Sequence, residues 1–224
     1  MNHSVLTKIF NDIDMCPEYK NGSTQCGRDK EAIPKTVEIR NTQRVLLITR
    51  DPSNQANRLA DVTGYENIFF RDKVLSILFA EYESKEAKNN KKYFETYKEL
   101  FLNLVYWTHY QKCFPGTNQH GHKQPNNLCV EKYLSSEIEA CEPEIIICVG
   151  SHAIKYVTGE KKLLDAIQKN GKNTVNVAGK QIPVICLTHP SNANMKSKSD
   201  PSYKYEETVK LIHEVIVSSR KKTH

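Results

Sequence analysis

Four segments of this chain run apolar without alternation: "RVLLIT" (44–49), "LVYWTH" (104–109), "EIIICVG" (144–150) and "VICLTH" (184–189). Only a strand buried on both faces calls for such a run, because a strand with one wet face alternates polar and apolar residues. The stretches between them carry the helical period instead. "RDKVLSILFAEYES" (71–84) puts Val74, Leu75, Leu78 and Phe79 on one side, and "KYFETYKELFLN", "VEKYLSSEIEA" and "YKYEETVKLIHEVIVSSR" read the same way. Strand and helix therefore alternate, which predicts an α/β fold: a three-layer α/β/α sandwich around a central, mainly parallel four-stranded sheet. "NTVNVAGKQIPVICLTHP" is hairpin-like, and "MNHSVLTKIFNDIDM" is a short amphipathic helix with Val5, Ile9 and Phe10 on one face. No repeat or linker divides the 224 residues, so one domain over 1–224 is expected.

No apolar run reaches the roughly 18 residues of a membrane span, and the N-terminus lacks the apolar core of a secretion signal. An intracellular, cytoplasmic monomer without membrane contact is expected. A formal charge of +6 and a pI near 8.8 favour a polyanionic partner, with DNA first. The lysine runs at 85–93 and 219–224 read as solvated faces.

Seven cysteines in such a chain argue against a disulfide framework. Cys148 and Cys186 lie inside apolar strands and Cys141 late in a helix, so these read as core thiols. Cys16, Cys26, Cys113 and Cys129 fall in polar, turn-rich stretches, where an exposed thiol is an oxidation liability unless something binds it. Four of them suggest a metal or cluster site.

In a parallel sheet, ligands bind beyond the carboxyl ends of the strands. The segments "RDPSN", "HYQKC", "GSHA" and "HPSNAN" should therefore build the site. Asp51 follows the first strand and His189 the last, each just before a proline that stops the strand. A carboxylate and an imidazole facing one crevice can run acid–base or electrostatic chemistry.

The order "ITRDPSNQA", "KCFPG" with fifteen residues between Cys113 and Cys129, "YLSSEIEACEPEIIICVGSHA" and "LTHPSNAN" resembles the uracil-DNA glycosylase superfamily, in particular its iron–sulfur branch. The resemblance implies Cys16, Cys26, Cys113 and Cys129 as ligands of a [4Fe–4S] cluster, with tetrahedral zinc as the alternative. It departs from the branch in having nine residues between the first two cysteines, where two are usual. Asp51 departs as well, since most of that branch has alanine there and the fast uracil-removing branch has the aspartate.

The implied activity is that of a monofunctional DNA glycosylase, which flips a base out of the stack and hydrolyses its N-glycosidic bond. Asp51 would stabilise positive charge on the sugar and align a water, and His189 would hydrogen-bond the departing base. Arg50, Ser53, Asn54, Ala56, Phe70 and His109 would line the base pocket, with Phe70 as the stacking ring and Phe69 able to exchange roles with it. Ser191, Asn192 and Asn194 would grip phosphate, and Met195 would be the wedge. His109 stands where the family has a base-reading asparagine, and Ser53 and Ala56 stand where the two branches have a tyrosine and a glutamate crowding the pyrimidine C5. The small residues suggest a base with a bulky C5 substituent, such as the hypermodified cytosine of viral DNA, which would make this a defence enzyme. Uracil removal in repair, a DNA-binding homologue without catalysis and a zinc-stabilised nucleotide-binding protein are the rivals.

Overall fold

The computed structural model describes residues 1–119, 121–191 and 199–221. Its strands are β1 (Val45–Thr49), β2 (Val105–His109), β3 (Thr117–Asn118), β4 (Gly121–His122), β5 (Ile145–Val149), β6 (Thr174–Val177) and β7 (Lys180–Leu187). Its main helices are α1 (His3–Asp14), α2 (Pro17–Lys20), α3 (Asn54–Asn57), α4 (Leu75–Leu78), α5 (Ser84–Asn89), α6 (Lys91–Leu104), α7 (Ser135–Cys141), α8 (Ser151–Thr158), α9 (Leu163–Gln168) and α10 (Tyr205–Lys221). Wider π-helical turns, Phe70–Val74 and Val130–Leu134, run directly into α4 and α7.

The four apolar runs form parallel strands in the order β2, β1, β5, β7, and β6 adds an antiparallel edge, so the sheet has five strands rather than four. The extra strand comes from the hairpin. Val177 pairs with Lys180 across Ala178 and Gly179, whose φ angles of 49° and 83° make the left-handed two-residue turn that a tight hairpin needs. β7 is long enough to pair twice. Lys180–Pro183 face β6, and Val184–Leu187 face β5.

The chain leaves β1 for β2 on one side and later returns to lay β5 on the other. Such a reversal opens a crevice beyond the carboxyl ends of the two strands flanking it. Both faces of the sheet are covered. Val45, Leu47, Trp107 and Ile147 point into a core with Phe94, Phe101 and Ile212, while Leu46, Ile48, Tyr106 and Ile146 point into a second with Leu6, Ile138 and Ile154. This is why the strands carry no polar alternation.

The N-terminal helix forms as expected but buries a different face. Leu6, Ile9 and Ile13 point inward against α7, while Val5 is exposed. Phe10 is partly buried, its ring centroid 6.0 Å from that of Tyr106. Among the described residues no helix is long and apolar enough to cross a membrane.

Candidate active site at the carboxyl ends of the strands

The β1–β2 ladder continues past both strands: the Tyr110 N–H donates to the Thr49 carbonyl at 2.8 Å and the Gln111 N–H to that of Arg50 at 2.9 Å. The turn therefore begins only at Asp51. Its side chain is just 2% exposed, paired with Arg50 through Oδ2 and lying 3.5 Å from His122 Nδ1 through Oδ1. Taking a carboxylate out of water in this way is costly unless such cationic or donor neighbours face its oxygens.

His109 ends β2 opposite Thr49 and is buried, its ring tilted against Trp107 at 5.0 Å. Burial first, and the Lys112 charge second, pull its pKa down to about 3, so the ring is neutral. Among the described residues its Nδ1 is buried without a hydrogen-bond partner, an unmet bonding capacity that is rare for a buried polar atom.

Beyond β5, Gly150 has a φ of 88° and opens α8. A β-carbon there would lie 3.7 Å from the His189 Cβ, so the glycine brings the last loop close to α8 in a backbone conformation that a side chain would strain. His152, in the first turn of α8, is a second histidine with a buried, unpartnered Nδ1, and burial followed by the Arg50 charge lowers its pKa. His189 stacks on Phe69, with centroids 5.2 Å apart and planes at 11°. Its Nδ1 accepts the Ser191 N–H at 3.2 Å, so the neutral ring carries its proton on Nε2.

β1 and β7 flank β5. Two interstrand spacings, roughly 10 Å, therefore separate the ends that carry Asp51 and His189. Both groups lie at one edge of the sheet, with Gly150 and His152 between them.

Several expected site residues have other placements. Phe70 is fully buried, stacked on Trp107 at 5.7 Å and edge-on to Phe101 at 4.9 Å. It is a core ring, and Phe69, which packs against the same core only in part and stacks on His189, is the aromatic at the candidate site. Phe70→Ala should cost about 3–5 kcal/mol in unfolding free energy, the usual range for a buried aromatic. Phe69→Ala should leave the thermal midpoint near that of the wild type and lower base release instead. Denaturant titration beside a glycosylase assay separates the two.

Ser53 caps α3, its Oγ accepting the Ala56 N–H at 3.0 Å. Ala56 is 3% exposed and belongs to the apolar core, so it is not the open wall expected at the C5 side. Asn54 instead faces a cleft of ≈ 830 Å³, which Asn57, Arg58, Phe114 and Thr117 also line. Asn192, Asn194 and Met195 lie outside the described residues.

The cysteines divide as their sequence contexts suggest. Cys141, Cys148 and Cys186 are buried core thiols. Cys16, Cys26, Cys113 and Cys129 all line one small cavity of ≈ 10 Å³, with Tyr19, Arg28 and Lys112 among the remaining walls. They are less exposed than their polar surroundings implied: Cys26, Cys113 and Cys129 are buried and only Cys16 is partly open. The N-terminal segment is held against the loop by the Asp29 N–H to the Phe114 carbonyl, 2.8 Å, and the Lys35 N–H to that of Lys112, 2.9 Å. Burial raises the Cys113 pKa well above its ordinary value, and the charges of Cys129, Cys26 and Cys16 raise it further, so the four sulfurs share one neighbourhood. Arg28 Nε is buried there without a partner. Among the described residues no group of three or more His, Cys, Asp or Glu side chains is placed to hold a metal ion.

Residues 37–212 match the family model of the Uracil DNA glycosylase superfamily. The chain belongs to this superfamily. Membership brings a DNA glycosylase-type function, with DNA as the partner. The match takes in Asp51, Phe69, His109, Cys113, Cys129 and His189 and begins after Cys16 and Cys26. In this uracil-DNA glycosylase superfamily chain, the surrounding histidines are the part of the candidate site that the sequence did not announce. His122 and His152 reach Asp51 or its partner Arg50, and neither stands out by sequence: one sits in a Gly-His pair inside a long loop, the other behind a helix-opening Gly-Ser.

Proposed function

We propose that the protein is a monofunctional DNA glycosylase that extrudes a base into the crevice beyond β1, β5 and β7 and hydrolyses its bond to the sugar. The observation that carries this is the pair of groups at one edge of the sheet: the buried Asp51 carboxylate after β1, and a His189 ring held with its proton on Nε2 after β7. Bond breaking leaves positive charge on the sugar and negative charge on the base. Asp51 stabilises the first and aligns a water, and the His189 Nε2–H donates to the second. The water oxygen ends on C1′ and its proton on the released base. Phe69 lies against His189 and offers a face for the extruded ring. Neutral His109 offers its unpartnered Nδ1 as an acceptor for an exocyclic amino or imino group. Ser191 and the chain that follows it would grip phosphate.

For substrate we propose a pyrimidine with a large polar C5 substituent, such as the hypermodified cytosine of viral DNA, which places the enzyme in antiviral defence. Support comes from the ≈ 830 Å³ cleft that Asn54 enters just after the Asp51 turn, where Asn54, Asn57 and Arg58 can hydrogen-bond to hydroxyls; Asp51, His109 and His189 do not line it. Uracil is the second reading, favoured by the burial of Ala56, which leaves the expected C5 opening closed at that position.

For the four cysteines we propose a [4Fe–4S] cluster in the iron–sulfur manner, with zinc as the alternative. Four thiols lining one small cavity, with the Arg28 Nε beside them, are the chemistry that an anionic sulfur-rich group takes, although they are not drawn together closely enough here to hold a metal ion. A single zinc requires all four sulfurs within about 2.3 Å of one point, a tighter arrangement than a cluster. Cys16, Cys26, Cys113 and Cys129 would hold the group, which would tie the N-terminal segment to the loop after β2.

One experiment tests these points together. Purified protein should carry iron with visible charge-transfer absorption, and should free a base, identified by mass spectrometry, from duplexes containing glucosylated hydroxymethylcytosine faster than from duplexes containing uracil. Faster uracil release would select the repair reading. Tight DNA binding with no free base from any duplex would mark a binding module, and stoichiometric zinc would replace the cluster.

A further inference from the structure

We propose that His122 is a positioning residue for the Asp51 carboxylate, carried to it by the loop that Cys113 and Cys129 bracket. The Asp51 side chain is 2% exposed, so water does not fix its orientation. Arg50 takes Oδ2, but it is the adjacent residue and its side chain is 25% exposed, so by itself it leaves the carboxylate free to rotate with it. His122 comes from a different element and meets Oδ1 from Nδ1 at 3.5 Å. That contact is a few tenths of an ångström beyond the usual N–H···O hydrogen-bond range of about 2.7–3.2 Å, a gap of the kind that tightens when substrate closes a site. Two supports from separate elements fix the plane of a carboxylate, as one support cannot.

The loop is built to hold the ring there. Thr117 pairs with His122 across the β3–β4 hairpin, and the Lys123 N–H donates to the Gly116 carbonyl at 3.0 Å. Phe114 meets the imidazole edge-on at 5.1 Å and 80°. Further along, the Asn126 N–H donates to Gln111 Oε1 at 2.8 Å, and the Tyr110 hydroxyl donates to Asn127 Oδ1 at 2.7 Å. The anchors Tyr110 and Gln111 are the residues whose backbone extends the ladder beside Arg50, so hairpin and carboxylate share one foundation. His109 and His152, which also sense the Asp51 charge, are the other titratable rings near it.

The kinetic part of the test rests on the glycosylase reading; the spectroscopic part does not. In long-range 1H–15N spectra of the full-length protein, the His122 ring nitrogens should shift on Asp51→Asn. Unchanged His122 signals overturn the proposal whether or not any DNA is cleaved. In single-turnover reactions on uracil and glucosylated hydroxymethylcytosine duplexes, His122→Ala should slow base release by about tenfold to a hundredfold, with DNA affinity within about twofold. His122→Asn, whose amide nitrogen falls near the position of Nδ1, should recover most of the rate. The Asp51→Asn/His122→Ala double variant should be no slower than Asp51→Asn, because His122 acts through Asp51. A wild-type rate in His122→Ala, or fully additive losses, overturns the proposal. A wild-type protein that frees neither base counts against the glycosylase reading and leaves the spectra to decide the role of His122.

Discussion

Asp51→Asn should slow base release by about a hundredfold to a thousandfold, the cost of removing one preorganised electrostatic contact to a developing charge. The fold should survive. Asparagine has almost the same shape, and the turn is set by the backbone ladder through Tyr110 and Gln111 and by the Ser53 cap rather than by the carboxylate. Arg50, partly exposed, is left to solvent instead of being buried without a partner. Single-turnover base release and a thermal melt measure the two effects. Retained full activity would remove Asp51 from the chemistry, and a collapsed melting point would show that the carboxylate is structural.

An expected effect on stability as large as that of Phe70→Ala lies beneath the site. The Lys112 ammonium is buried and donates to Thr108 Oγ1 at 2.6 Å, to the His109 carbonyl at 2.8 Å and to Glu137. Glu137, 1% exposed, also accepts from the Tyr106 hydroxyl at 2.8 Å and from Thr108 at 2.9 Å. Lys112→Met strands a buried carboxylate, which costs about 3–5 kcal/mol and, in a chain of this size, lowers the melting point by roughly 10 °C. Removing the acid too, in Lys112→Met/Glu137→Leu, should recover much of the loss, because the apolar pair escapes the desolvation cost. Denaturant titration of the two variants checks this, and a single-variant loss below about 1 kcal/mol would mean that the carboxylate is not held as a buried ion. The same ammonium fixes the His109 backbone and borders the cysteine cavity, so activity should fall along with stability.

That network was invisible in the sequence. Lys112 reads as an ordinary loop cation and Glu137 as a polar helix position, and nothing in their spacing announces that 25 residues of chain fold back to pair them. The same holds for Phe69 and Phe70, adjacent rings of identical chemistry whose assignment depends on which one packs fully into the core. Ala56 could be read as space beside the base only because its burial was not legible from its neighbours. His122 is the clearest case: its part in the site depends on a hairpin that the loop composition alone does not specify.

The sequence by itself determined the sheet and the edge where the candidate site lies. Burial on both faces demands uninterrupted apolar runs, and those runs mark parallel strands whose carboxyl ends open together, so Asp51 and His189 had to fall on one side. Only the tertiary structure decided which histidines surround the carboxylate, which phenylalanine stands at its edge and how four cysteines come to line one cavity. Strand burial is a local property written in consecutive residues. Convergence of side chains from separate loops depends on backbone paths that no short stretch of chain encodes.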